Sequence, residues 1–298
     1  MESSTVSEAW VELIDGLLEQ EGCRHGNYQE IPPSIPQHLR QKLPEYPKTR
    51  LESARFDWLD RHGIFTNKRI VEIGGNLGYF SIRATSERDA TSVVYEPDNR
   101  LGTVMSLMAA LSGVTDRIQI RNTPVQLSNW PDMPAADLVI NLNVIHHAGQ
   151  EFDKSIIKTP DDWRSYAVEF LRLLTKVAPL MAFQTGFLWS DTADRLVPRG
   201  CDINQWIGDL LNESGWRVLH SSKAIRKNNG WTYEDIIQGP GPREEHDGFL
   251  KAGTKALLPT PVQTRIRLVK RKLFTSAATE AETQRFALRP LYVCERHS

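Results

Sequence analysis

Lys68-Arg69-Ile70-Val71-Glu72-Ile73-Gly74-Gly75-Asn76-Leu77-Gly78-Tyr79-Phe80-Ser81 decides how the rest of the chain is read. Val71 and Ile73 are β-branched members of a short apolar run, the pattern of a buried strand. Gly74, Gly75 and Gly78 then supply a turn in which backbone approaches a ligand without interference from a Cβ. A strand, a glycine turn and a helix start in this order are how a Rossmann-like sheet makes a nucleotide site. Spacing narrows the nucleotide. A G-x-G-x-x-G register begun at Gly74 meets Tyr79 where its last glycine should stand, and one begun at Gly75 meets Leu77. The dinucleotide fingerprint is therefore absent, and with no Gly-Lys-Ser/Thr after the glycines so is the phosphate-cradling loop.

Two further stretches carry chemistry. Thr91-Ser92-Val93-Val94-Tyr95-Glu96-Pro97-Asp98 reads as a strand ending in a carboxylate, placed to accept hydrogen bonds from a ribose diol. Ala136-Asp137-Leu138-Val139-Ile140-Asn141-Leu142-Asn143-Val144-Ile145-His146-His147 is an apolar run that opens into polar residues. The first stretch, with its acidic residue two before the first glycine, resembles motif I of the class I S-adenosylmethionine-dependent methyltransferases. The third resembles their motif IV.

That resemblance implies S-adenosyl-L-methionine as cofactor and S-adenosyl-L-homocysteine as product. It implies that Glu72 faces the methionine end and that Glu96 is the ribose ligand. Gly74, Gly75, Asn76, Gly78, Tyr79, Phe80 and Pro97 would surround the cofactor, as would Asn141 and Asn143. Asn122 and Thr123 stand where the family commonly contacts the adenine, although ordinary turn chemistry also explains them. Asn76 replaces a glycine common in motif I. The glycine turn resembles that of enzymes acting on sugar and natural-product hydroxyls, while residues 191–216 resemble bacterial enzymes that modify the tRNA wobble uridine.

Strands and helices alternate downstream, which is the signature of a parallel sheet with crossover helices. We expect strands at 69–73, 91–96, 117–121, 137–142, 177–184 and 216–222, with helices at 78–88, 98–112, 161–175 and 202–214. The resemblance adds an antiparallel last strand at 289–296. The expected fold is α/β: a Rossmann-like, seven-stranded, mostly parallel sheet with helices on both faces. Its parts are an N-terminal helical and proline-rich extension (1–50), a core (51–223), an insert (224–288) and the closing strand (289–298). In the extension, Trp10, Leu13, Ile14, Leu17 and Leu18 recur at helical spacing and suit packing on the core better than a substrate lid. A second helix at 49–62 offers Phe56, Trp58 and Leu59 for burial. The insert is far longer than an ordinary loop, so structure or function of its own is expected there. It holds a polar turn at 239–248 and a basic run at 265–272, which suits a solvated helix face or a phosphate contact.

The 298 residues carry 36 Lys and Arg against 37 Asp and Glu, a net charge of -1, so no whole-chain basic field draws nucleic acid. Cys23, Cys201 and Cys294 are few and far apart, with no metal-ligand spacing; they read as free thiols in a reducing cytosol. No metal site and no membrane span are expected, and the reading is cytoplasmic.

Methyl transfer to a hydroxyl needs a base for the departing proton, and histidine titrates near neutrality unperturbed. His146 and His147 follow the third strand end. Only one can face the site, with His146 slightly ahead, because neighbours in a helical turn diverge by about 100 degrees. In the resembling family such a histidine often only shapes the pocket. Asp153, His246 and Asp247 are secondary candidates. Phe187 and Trp189 suit an acceptor wall or buried anchors equally. The expected partner is a small-molecule or sugar acceptor, with tRNA less favoured, a homodimer allowed, and a non-catalytic cofactor-binding homologue as the other class.

Overall fold

Strands without a polar face must be covered by helices on both sides, and the runs at 69–73, 138–142 and 180–184 have almost no exposed position. The computed structural model describes residues 2–19, 29–44, 49–190, 192–228, 230–236 and 276–297. In chain order its elements are α1 (Glu2–Glu19), α2 (Gln37–Arg40), α3 (Glu52–Arg61), β1 (Arg69–Ile73), α4 (Tyr79–Arg88), β2 (Thr91–Tyr95), α5 (Asn99–Leu111) and β3 (Ile118–Arg121). There follow β4 (Leu138–Leu142), α6 (Pro160–Leu174), β5 (Leu180–Gln184), α7 (Ile203–Glu213), β6 (Trp216–Lys227), β7 (Gly230–Asp235), α8 (Ser276–Ala287) and β8 (Leu291–Arg296).

The strands form one sheet in the order β3-β2-β1-β4-β5-β8-β6-β7. β1 pairs in parallel with β2 and β4, β2 with β3, and β4 with β5. β8 runs antiparallel to both β5 and β6. On one face α6 and α7 bury Trp163, Phe170, Leu171, Ile207 and Leu210 against Val71, Val139 and Phe183. On the other, α3 and α4 cover Ile70, Leu138, Ile140 and Ala182. Burying each large side chain contributes about 2–3 kcal/mol.

Among the described residues the sheet has eight strands where seven were expected. β6 continues to Lys227 and turns into β7, pairing Lys227 with Gly230 and Ser222 with Asp235. Gly230 opens β7 with φ 126°, a conformation glycine adopts freely. Tyr233 of β7 is buried, Arg61 Nη2 donates to its carbonyl at 2.7 Å, and Trp58 Nε1 donates to Asp235 Oδ1 at 2.8 Å, so β7 is fastened to α3. Part of the expected insert is thus sheet and its end is α8. The polar turn at 239–248 with His246 and Asp247, the basic run at 265–272, and Cys23 lie outside the described residues.

The extension packs on the core. Val11, Ile14 and Leu18 of α1 are buried with Leu101, Val104, Met105 and Met108 of α5, whereas Leu13, expected in the apolar stripe, is 49% exposed. Val11 takes its place. Cys201 is an exposed free thiol and Cys294 a buried one whose pKa burial pushes far up. Among the described residues, no helix is long and apolar enough to cross a membrane.

Candidate active site

The strand order reverses between β1 and β4, and such a reversal opens a crevice at the carboxyl ends of the strands where open α/β sheets bind ligands. Glu72, near the end of β1, is only 3% exposed. Its carboxylate accepts from the Ser81 amide at 3.1 Å and from the Ser81 hydroxyl, beneath the first turn of α4. Burial pushes its pKa from 4.5 up to about 7; the Ser81 bonds oppose this, and repulsion from Glu96 adds to it.

The glycines of the turn answer to the protein's own packing. Gly74 and Gly78 have φ of 69° and 81°. A Cβ on Gly74 would come within 2.6 Å of Val144, one on Gly78 within 2.6 Å of Met105, and one on Gly75 would collide with Val94. Side chains of β2, α5 and the exit from β4 thus exclude any Cβ at these three positions. Gln29, buried in the extension, approaches the same turn: its Oε1 accepts from the amides of Leu77 at 2.8 Å and Tyr79 at 3.5 Å, donors that a helix start leaves unmatched. Tyr79 and Phe80 are themselves buried in the core beside α3.

Glu96 follows β2 and is buried. Its Oε2 accepts from the Asn76 amide at 2.8 Å and its Oε1 from the Asp98 amide at 3.0 Å. Asn76 reaches this position with φ 53°. Pro97 is exposed; Asn122, also exposed, lies against Gly102, and Thr123 is half-buried beside it.

Across the crevice, Asn141 is the next-to-last residue of β4, in register with Ile73 and Phe183. It is 0% exposed, and neither polar atom of its amide has a hydrogen-bond partner among the described residues. Leaving such a group unmatched costs about 1–3 kcal/mol, so a bound water or another polar group is needed to match it. Asn143 follows at φ 60°, donating to Gln184 Oε1 at 2.8 Å and accepting from Arg289 Nη1 at 2.7 Å.

The exit turn then carries both histidines. His146 is buried with its ring against Gly186, where a Cβ would lie 2.7 Å away. Its centroid is 4.1 Å from that of His147. His147 is half-buried, with Nδ1 2.9 Å from Glu151 and 3.0 Å from the Ser190 hydroxyl. Two tryptophans hold the turn: Trp163 Nε1 donates to Ile145 O at 2.9 Å and Trp189 Nε1 to Ala148 O at 2.6 Å. Trp189 is therefore an anchor, while Phe187 is half-buried. Asp153 is committed to the amides of Leu127 and Ser128 and to the Tyr166 hydroxyl.

Gln29, Glu52, Arg55 and Glu151 belong to this end of the sheet and were not singled out in the sequence. Glu151 had a signal, the i,i+4 spacing from His147; the others meet the site only through long-range packing.

The strand order and the antiparallel β8 define a mixed α/β sheet with buried carboxylates at the ends of β1 and β2. No protein-family model and no curated protein sequence matches the chain. The solved structures it is similar to include a Pyrococcus horikoshii protein, PH1948, assigned as an RNA methyltransferase (11% identity, 96% of this chain and 98% of that one, TM-score 0.46). Others are the O-methyltransferase segment of StiE (16%, 95% and 90%, TM-score 0.46) and the bifunctional kinase-methyltransferase WbdD (14%, 74% and 48%, TM-score 0.48).

Proposed function

We propose that this chain is a cytoplasmic S-adenosylmethionine-dependent methyltransferase acting on a small-molecule or glycan acceptor at a hydroxyl oxygen. The observation that carries the reading is Glu96: a buried carboxylate just after β2, pinned by two backbone amides, one of them in the glycine turn. The residues fit the cofactor. Glu96 would hold the ribose diol, the unmatched amide of Asn141 and the end of β1 at Glu72 would meet the amino-acid end, and Asn122 and Thr123 would flank the base. When bound, the cofactor supplies an electrophilic methyl on a sulfonium, a very good leaving group.

The chain's own contribution is orientation and proton removal. We assign the base to His147, whose Nδ1 meets the Glu151 carboxylate. With Nδ1–H directed at Glu151, the basic lone pair is on Nε2, which takes the hydroxyl proton, and Glu151 stabilises the imidazolium that results. His146, buried against Gly186, serves as wall.

Isothermal titration with S-adenosylhomocysteine tests the assignment. The expected result is micromolar binding, weakened at least about tenfold in Glu96→Ala through loss of charge-assisted hydrogen bonds. His147→Ala should retain that affinity while cutting transfer to a panel of sugar and phenol hydroxyls by about 10²–10⁴-fold. Unchanged affinity in Glu96→Ala would remove the cofactor assignment, and acceptance of bulk tRNA, with salt-sensitive binding, would replace the small acceptor.

A further inference from the structure

A bulge in β6 sets two histidines face to face. Val218 packs with the cluster under α6 and α7, whereas Ala224 packs with the one under α3. Strict alternation would keep both on one face of the sheet, since they stand an even number of residues apart. The register of β6 against β8 shifts between Val218 and His220, and a bulge of this kind reverses the faces. His220 is thereby turned toward α3. Its ring stacks on that of His62, the residue that caps the C-terminus of α3, with centroids 3.9 Å apart and planes 21° apart.

One carboxylate serves this pair. Asp235, the last residue of β7, lies opposite Ser222 of β6. Its Oδ1 accepts from the Trp58 indole at 2.8 Å and stands 3.2 Å from His62 Nε2. His62 is half-buried, while His220 and Asp235 are exposed, so protons from solvent reach the pair. The charged groups that face His62 are His220 of β6, Asp235 of β7 and Arg61 of α3. Burial holds the His62 pKa below its ordinary value; repulsion from His220 adds to this, Asp235 opposes it, and Arg61 adds a little more. Asp235 balances one imidazolium. A second sets two cations against each other across the stack, where they repel.

We propose that His62, His220 and Asp235 form an acid-released latch between α3 and the β6–β7 hairpin. With both rings neutral, they stack and Asp235 ties down Trp58 and His62. As pH falls below 6.5, a released His62 takes up a proton more readily than a latched one. The latch therefore weakens down to the latched pKa and is level below it. Release reaches further than the histidines. The hairpin also carries Tyr233, whose hydroxyl accepts from Gln184 Nε2 at 3.2 Å, and Gln184 Oε1 accepts from Asn143 at 2.8 Å. Acid thus acts through β7 on the carboxyl ends of β4 and β5.

The test follows the full chain by NMR between pH 4.5 and pH 8. In wild type the His62 C2 proton, assigned by its absence in His62→Gln, should titrate below 6.5. The Trp58 indole N–H, which bonds Asp235, should exchange at least about threefold faster at pH 5 than at pH 7.5 once intrinsic rates are divided out, while the β1 amides keep their protection. His220→Phe keeps a ring in the stack without its charge, at an exposed position where the fold tolerates it. This variant should raise the His62 midpoint and shrink the acid acceleration at Trp58; Asp235→Asn should lower the midpoint. A wild-type His62 that titrates at 6.5 or above would overturn the latch, and so would Trp58 exchange indifferent to pH. A His220→Phe protein that behaves as wild type, or an Asp235→Asn midpoint that does not fall, would do the same. Equal acceleration of the β1 amides would replace the latch with general acid unfolding.

Discussion

Glu72 makes the energetic cost of the crevice measurable at one residue. Its carboxyl has an ordinary pKa of 4.5 when unfolded and is raised to about 7 by burial in the native state. Between those two values the unfolded chain has released a proton that the folded chain still holds. The contribution of Glu72 to stability is therefore greatest below pH 4.5, falls as pH rises to about 7, and is level beyond that. Each tenfold change in proton affinity is worth about 1.4 kcal/mol, which makes the loss about 3 kcal/mol. Glu72→Gln keeps an oxygen for Ser81 without the ionisation, so urea unfolding at pH 4.5 and pH 8 should show a smaller drop in the variant than in the wild type. Superimposable pH profiles would mean that the buried carboxyl does not titrate in this window. The residue was legible in sequence by its place before the glycines, but its bond to Ser81 was not, because that contact depends on how α4 closes over β1.

Among the elements, α6 shows what sequence conveys well. Thr159-Pro160-Asp161-Asp162 predicts a helix start, and the structure has a capping box in which Thr159 Oγ1 accepts from the Asp162 amide and Asp162 accepts from the Thr159 amide. Thr159→Ala should cost about 1 kcal/mol, read from chemical denaturation. A change below a few tenths would show the cap to be redundant with the packing of Trp163. The parallel strands were legible because short, largely apolar runs such as Leu138–Leu142 alternate with helical segments. The β6–β7 hairpin was not. Its turn residues were read as the start of an insert, and the half-polar Trp231-Thr232-Tyr233 acquires its meaning only when Tyr233 meets α3. The glycine turn was found correctly but for a partial reason: its glycines are required by Val94, Met105 and Val144, side chains that no local pattern places there.

For the molecule as a whole, the extension and the sheet meet at Gln29. A side chain of the lead-in segment accepts from the Leu77 amide, so the core's glycine turn is completed by chain that precedes it. Gln29→Ala should speed hydrogen exchange at the Leu77 amide about tenfold, the factor that 1.4 kcal/mol confers, while the Gly74 amide, bonded to Tyr95 O, keeps its rate. Equal rates at Leu77 in both proteins would detach the extension from the turn. A different consequence follows from the position of β8. It lies between β5 and β6 although ribosomes make it after both. The nascent chain therefore emerges with two interior strand edges open, and until the final seam is sewn these edges are templates for misjoining with other chains. Closure is the non-local and hence slow step. A premature stop codon anywhere upstream of Leu291 would thus remove the seam that joins two halves of the sheet, rather than a dispensable tail.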